Sequence, residues 1–586
     1  MSLSIYNNNT LVAAKQETNP ITINLPSAAD MSSVALAAAT RAETAAATVH
    51  KDYADFDSFI TSTDTYSAGD LVTIDSIGAV YKTVSGTGNL GQTNAGGQEF
   101  DVLPDASGVV NVNAFGAVSD ATSPTVGTDN AAAFQAAFNT DFHVIIPAGS
   151  YRVSTATITQ QKSVRGGGMG ETIIYPITGS STFIIATDHV EISDIEFRGQ
   201  TGTGQANVTG DCILCDAVTS NASFTRPMEG VKIERCKFRK LKMNGINIAQ
   251  PLRESIIRNN RFVGMGDAAS SRAPIKGLQT LGSPSTINNL WIEGNMFYGY
   301  ATPAIYFLRS TLISSSASAS YATLYITNNL IHGQLLDESL GVEPVQPEET
   351  HSILIQDVTD LLLAGNKVTS IHPVYSGVRL VNNGTACDAS RVIGNTFAVA
   401  SPVAGVTYNV ASGNATGEFV YVSGANGIVC TNNTMNAGVF TSDMTFAQGS
   451  LSGVNINVDD NVSSNGSDII VDSTGMGAWF GRISTNSVFE DDRIGTFFNT
   501  LNSQDIIPRV TDVYDLGTAS LRFDRAFIKT VRFGPSGAQT FTSGSGSPEG
   551  VLAATVGSIY TRTDGGTGTT LYIKESGGGN TGWVAK

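Results

Sequence analysis

An eight-residue unit that returns nine times constrains this chain more than any other feature. It reads VEISDIEF at 190–197, VKIERCKF at 231–238, SIIRNNRF at 255–262, LWIEGNMF at 290–297, LYITNNLI at 324–331 and LLLAGNKV at 361–368. Fainter copies start at Ser390, Ile428 and Ile456, and successive copies begin 24 to 41 residues apart. The third residue is apolar or cysteine throughout, and the sixth is asparagine in seven copies: Asn260, Asn295, Asn329, Asn366, Asn395, Asn433 and Asn461. Ile195 and Cys236 hold the sixth place in the first two. Alternation within the unit is that of a strand, and a period of this size marks stacked supersecondary units. Positions one, three and eight then face inward, with a bend at the asparagine. A bend inside a stack leaves backbone groups needing partners. Asparagine amides can bond the bend and each other at the ~4.8 Å strand spacing, so Asn260 to Asn433 read as a structural ladder. The fourth place, Glu234, Arg258 and Glu293 on successive coils, reads as an outward ladder of opposite charges.

Composition agrees with an all-β solenoid. At 586 residues the chain is too long for one compact core. Only 15% of residues are charged and 61 are glycine, which suits short strands and turns, while 41% hydrophobic content excludes a disordered chain. A net charge of −17 argues against nucleic acid as a partner, since phosphate binding needs a basic surface. No run of 18 apolar residues predicts a membrane span. The polar first ten residues lack a signal-peptide pattern, so synthesis in a cytoplasm is expected. Of five cysteines, Cys212 and Cys215 form a C-x-x-C, but no second pair or neighbouring histidine completes a zinc set. Neither a metal nor a cofactor is expected.

Six segments follow. Residues 1–64 form an N-terminal segment with an alanine-rich helix over 31–56, whose small residues alternate at four and three. Residues 65–108 read as a small β-rich module, 109–189 as the cap and first coils, 190–465 as the repeat stack, 466–510 as its end and a linker, and 511–586 as a C-terminal β module. Within the cap, Thr128 reads as the N-cap of an amphipathic helix with Ala133, Phe134, Ala137 and Phe138 on its apolar face. The glycine run 166–170 has neither a following helix pattern nor a Lys-Ser/Thr, so it is a turn and not a phosphate loop.

The stretch 109–174 resembles the cap and first coils of the pectate-lyase-like superfamily of phage tailspikes. The resemblance lies in VNAFGA (112–117), TDNAAAFQAA (128–137), VIIPAGSYRV (144–153) and VRGGGMG (164–170), continued by the asparagine column to about residue 465. The flank 511–528, TDVYDLGTASLRFDRAFI, resembles a motif near the ends of tail fibres. The resemblance implies a right-handed parallel β-helix. It also implies a homotrimer attached through its N-terminus to other tail or baseplate proteins, located in the virion, and a bacterial surface polysaccharide as partner.

Depolymerisation by hydrolysis needs two carboxyls about one glycosidic bond, ~5–5.5 Å apart for retention or ~6.5–9.5 Å for inversion. Asp357 and Asp360, read as flanking a turn, rank first, with Glu254 as the alternative. Tyr306, Arg309, Arg379 and Gln250 are candidates for holding sugar hydroxyls or carboxylates. The acidic insertion 337–349 and His351 are a second place for an acid or base. Elimination from a uronate, with Lys276, Arg309 or Arg379 taking part, and binding without cleavage stay open as alternatives.

Overall fold

The computed structural model describes residues 2–7, 10–16, 50–177, 179–199, 210–216, 227–265, 272–279, 288–300, 302–309, 321–333, 351–356, 358–371, 375–381, 389–399, 419–423, 428–436, 444–447, 454–459, 462–463, 467–472, 478–483, 487–490, 530–533 and 539–586. Residues 1–497 and 498–586 form two compact units.

Three parallel sheets carry the repeat in the first unit. The first, with fourteen strands, includes Lys232–Glu234, Leu252–Arg258, Asn288–Glu293, Tyr321–Thr327 and Val358–Ala364. The second, with eleven, includes Lys237–Leu241, Arg261–Met265 and Met296–Tyr300. The third, with twelve, includes Asn244–Ile248, Ile275–Gln279, Ile305–Arg309, Ile353–Gln356, Val378–Val381 and Val420–Ser423. Each circuit visits the three sheets in turn and returns one strand along. The chain is a right-handed parallel β-helix, the hand that parallel crossovers take.

Inside the coils, like stacks on like. Ile233, Ile257, Ile292 and Ile326 pair in register and are fully buried. Phe197, Phe238, Phe262 and Phe297 stack face to face at 5.2, 4.8 and 4.8 Å. From Asn295 to Asn433, each asparagine Oδ1 accepts from the backbone N–H and the Nδ2 of the asparagine before it, at 2.9–3.1 Å, and Asn260 Oδ1 accepts from the Cys236 N–H. Each Nδ2 also reaches the third-position carbonyl of the previous coil, as Asn329 does to Ile292 at 2.9 Å. Asn461 lies outside the described residues. The residue before each asparagine is left-handed: φ is 56° at Asn259, 64° at Gly294, 56° at Asn328 and 65° at Gly365. That requirement explains the N-N and G-N pairs, because glycine and asparagine enter this region most easily. On the outward fourth place, Arg258 Nε meets Glu234 at 2.7 Å.

The helix Ala131–Asn139 covers the start of the stack with Phe134 and Phe138 against Phe183. Its N-cap is Asn130, not Thr128, whose hydroxyl donates instead to Asp120. The Asn130 side chain bridges Val118 and Arg152, which ties the helix to the first coils. At the other end of the helix, the buried Lys162 ammonium donates to the carbonyls of Phe138 (2.6 Å) and Thr140. A four-stranded sheet precedes the cap: His50–Tyr53, Leu71–Ile74, Ala79–Val84 and Glu99–Leu103. Its Tyr81 hydroxyl donates to Ala114 at 2.8 Å.

Several boundaries differ from the sequence reading. Of the helix expected over 31–56, residues 31–49 lie outside the described residues, and His50–Tyr53 is a strand paired with Leu71–Ile74. Within 466–510, expected to hold the end of the stack and a linker, Ser467–Asp472 and Ser487–Glu490 join the third sheet and Ala478–Ile483 the first. In the second unit, five strands from Thr530–Phe533 to Trp583–Ala585 pack Tyr560, Tyr572 and Trp583 on one face. The flank 511–528 and the insertion 337–349 lie outside the described residues.

Candidate functional site

The third sheet is built from triplets in which an outward residue lies between two inward apolar or small ones. They are Ile246-Asn247-Ile248, Ile275-Lys276-Gly277, Ile305-Tyr306-Phe307, Ile353-Leu354-Ile355, Val378-Arg379-Leu380 and Val420-Tyr421-Val422. Strand alternation turns each central residue outward. The registers then line them up without a break: Asn247, Lys276, Tyr306, Leu354, Arg379, Tyr421. All six are half-buried. Five strand spacings make the column about 24 Å long. An amide, an ammonium, two phenols, a guanidinium and one aliphatic group thus form one line of donors and aromatic groups on the sheet.

Two parts of this column are more built than the rest. At one end, Asp211 is in register with Asn244, whose Nδ2 donates to it at 2.6 Å. Ser181 Oγ donates to the other oxygen at 3.0 Å, and Arg272 Nη1 lies 3.7 Å away. Burial and the nearby Arg272 cation lower the pKa of Lys276, with Asp211 acting against them. Asn247 Oδ1 and Arg272 Nε are buried without a hydrogen-bond partner among the described residues. Unmet capacity of this kind is what a polar ligand or ordered water satisfies. Towards the other end, the Arg379 guanidinium lies 4.3 Å over the Tyr421 ring. His351 Nδ1 accepts from Ser376 N–H at 2.9 Å. Burial first, then Arg379, push the His351 pKa down to about 4, so it is neutral at pH 7 and carries its proton on Nε2.

The structure divides the residues singled out from sequence. Tyr306 and Arg379 share the third-sheet column, two strands apart, and burial raises the Tyr306 phenol. Arg309 ends its strand in register with Gln279, and its side chain lies outside the described residues. Gln250 follows the strand Asn244–Ile248 but is only 3% exposed. Glu254 and Asp360 are on the first sheet, exposed, in one left-handed column with Asn289 and Thr323. Their φ values are 49° and 58°, so they mark the entry of each coil into its first-sheet strand. The registers Ser255–Leu290–Leu324–Leu361 put Glu254 and Asp360 three strands apart, about 14 Å. That exceeds the spacing of two carboxyls acting on one glycosidic bond. Asp360 lies within the strand Val358–Ala364 rather than beside a turn, and Asp357 lies outside the described residues. Cys212 and Cys215 are both buried; burial raises the Cys212 thiol well above its usual range and pushes Cys215 to about 12. Asp211, Arg272 and Tyr421 join this region without standing out in the sequence. The apolar-X-apolar triplets were the signal that could have found Tyr421.

No family model matches the sequence, and no curated protein matches it. Solved structures similar to the chain include ORF18 of Geobacillus virus E2, at 16% identity and a TM-score of 0.38, covering 76% of this chain and 75% of that one. The catalytic unit of a GH87 α-1,3-glucanase from Streptomyces thermodiastaticus is similar at 15% identity and a TM-score of 0.39, covering 66% and 70%. The enzymatically active domain of bacteriophage CBA120 tailspike protein 2 is similar at 11% identity and a TM-score of 0.37, covering 75% and 56%. The coils themselves rest on the parallel registers of this chain.

Proposed function

We propose that this protein is a phage tailspike that binds a bacterial surface polysaccharide along the outward face of its third sheet and depolymerises it during host adsorption. The observation that carries this reading is the unbroken column Asn247–Lys276–Tyr306–Leu354–Arg379–Tyr421, with unpartnered buried polar atoms at one end. Hydrolysis by paired carboxylates is the proposed chemistry, with Asp357, Asp360 and Glu254 as candidate acids and bases. Glu254 and Asp360, about 14 Å apart on the first sheet, do not form such a pair with each other, so each requires another carboxyl as its partner. The N-terminal segment is proposed to join other tail proteins, and the assembly to be a homotrimer. On the first sheet, the outward, half-buried Ile256, Trp291, Tyr325 and Leu362 are in register, with Trp291 and Tyr325 stacked at 5.2 Å. Such an apolar stripe supports contact between chains.

Elimination from a uronate is a second reading, favoured by the half-buried Lys276 with its lowered pKa, beside Asn247 and Tyr306. An amine that loses its proton nearer neutrality is a competent base. Incubation with extracted host polysaccharides tests both. Reducing ends without ultraviolet absorbance indicate hydrolysis, and an absorbing unsaturated product indicates elimination. Binding without either product reduces the protein to an adhesive fibre. Asp360→Asn and Glu254→Gln are expected to lower hydrolysis; full activity in both would remove them from the chemistry.

A further inference from the structure

The second sheet carries a cluster that the proposed glycan column does not use. Its outward residues include Glu196 and Arg198 on one strand, and Lys237 and Arg239 on the next. Glu196 is in register with Lys237, and Arg198 with Arg239. The carboxylate of Glu196 is fully buried, meeting Arg198 Nε at 2.6 Å and Lys237 Nζ at 3.3 Å. One carboxylate thus serves two cations. Beside them, Arg239 and Lys240 make no ion pair among the described residues, and Arg239 Nε is buried with no hydrogen-bond partner there. Burial lowers the pKa of the Lys240 amine, and Arg239 and Arg198 lower it further, with no carboxylate acting against them. Residues 199–209, which follow Arg198 in the chain, include no aspartate or glutamate. Four cations about one carboxylate, in a chain of net charge −17, is a local excess that an anion would relieve.

The backbone at Lys240 strengthens the case. Its φ is 57°, in the left-handed region. The equivalent place on the next two coils is Gly264 (62°) and Gly299 (60°), the residue type that this conformation suits. A lysine held where the next two coils use glycine carries backbone strain that glycine would relieve, as Ser370 (55°) does further along the same column. The position is fixed tightly from the neighbouring coil. Gly199 N–H donates to the Arg239 carbonyl at 2.8 Å, and a Cβ on Gly199 would come within 1.9 Å of the Lys240 carbonyl oxygen.

We propose that Arg198, Lys237, Arg239 and Lys240 form an oxyanion site that takes the carboxylate, sulfate or phosphate of an acidic glycan. Arg239 offers a guanidinium fork for two oxygens, and Lys240 a point charge. Glu196 holds Arg198 and Lys237 in place beneath. The site names the polysaccharide of the preceding proposal as an acidic one, and rests on that reading for its glycan, though not for its anion.

Calorimetric titration of the full chain at low ionic strength tests it, with inorganic sulfate, inorganic phosphate and a polygalacturonate oligosaccharide as probes and a dextran oligomer as the neutral control. Saturable binding of at least one anionic probe is expected, and none of dextran at this site. Lys240→Gly is expected to melt at or above the temperature of the parent while weakening that binding at least fivefold, and Arg239→Gln to weaken it similarly. Arg379→Ala, on the third sheet, is expected to leave binding of the inorganic ions unchanged. Binding of sulfate or phosphate without the uronate assigns the site to ester groups on the glycan. Absence of saturable binding for all three anions, or binding by Lys240→Gly and Arg239→Gln equal to the parent, overturns the site. Because Arg379→Ala reports on the glycan column and Lys240→Gly on the anion site, failure of either reading shows in its own variant.

Discussion

Replacing Asn329 by alanine tests how much the asparagine ladder holds the coils together. The Asn329 Oδ1 accepts from Asn295 N–H at 2.9 Å and from Asn295 Nδ2 at 3.1 Å. Its Nδ2 donates to the Ile292 carbonyl and to Asn366 Oδ1, both at 2.9 Å. The Asn329 backbone N–H keeps its own bond to Asn366 at 3.0 Å, so the variant loses only the four side-chain bonds. One of these leaves a buried backbone group without a partner, the N–H of Asn295, whereas the register of Ile292 with Ile326 keeps the Ile292 carbonyl in the strand ladder. The orphaned N–H costs ~1–3 kcal/mol, so the variant is expected to lose at least about 1–3 kcal/mol. Urea unfolding measures the total. Hydrogen exchange on peptides covering 290–297 measures the local effect, since the Asn295 amide loses its acceptor. A surface control, Lys232→Ala, is expected to stay within about 0.5 kcal/mol of the parent. If Asn329→Ala matched that control and the Asn295 amide stayed as protected as before, the ladder would be an accompaniment of the coils and not a cause.

Two further outcomes follow from buried or strained positions. Burial lowers the Lys162 pKa to about 8, from an ordinary 10.5. Between those values the unfolded chain holds more protons than the folded one, so stability rises with pH across that window, by up to about 3 kcal/mol. Melting of the parent and Lys162→Met at pH 7.5 and pH 10 is expected to show this rise in the parent alone; equal pH dependence would refute it. Thr323, a β-branched residue at φ 59°, is held where such side chains are strained. Thr323→Gly is therefore expected to raise stability by about 0.5–1 kcal/mol in urea unfolding, and a loss would show that its side chain contributes more than its backbone costs.

The coils were legible in the sequence because the first-sheet strand, the bend and the start of the second sheet fall inside one gap-free unit. Ile192, Ile233 and Ile257 occupy the same place in three copies, and no loop interrupts the count. The third sheet was not legible as a column. Its triplets are short, and inserted stretches of unequal length separate them from the repeat and from one another, so Tyr306 and Arg379 stand out only singly in the sequence and Tyr421 does not stand out. Asp360 and Glu254 attracted attention as carboxylates, yet their place is set by a left-handed backbone step shared with Asn289 and Thr323. His50–Tyr53 continues the alanine-rich stretch before it in sequence, but pairing with Leu71–Ile74 overrides that local preference. Asn130, rather than Thr128, stands at the N-cap without a side-chain capping bond, because its side chain is taken up by Val118 and Arg152, contacts that no local pattern announces.

The third-sheet column is tested most directly by surface plasmon resonance against a panel of extracted bacterial surface polysaccharides. The parent is expected to bind at least one of them, and Tyr306→Ala and Arg379→Ala each to weaken that binding tenfold or more, about 1.4 kcal/mol, while Lys232→Ala on the first sheet leaves it unchanged. A polysaccharide bound equally well by all four proteins would place the binding surface elsewhere on the molecule.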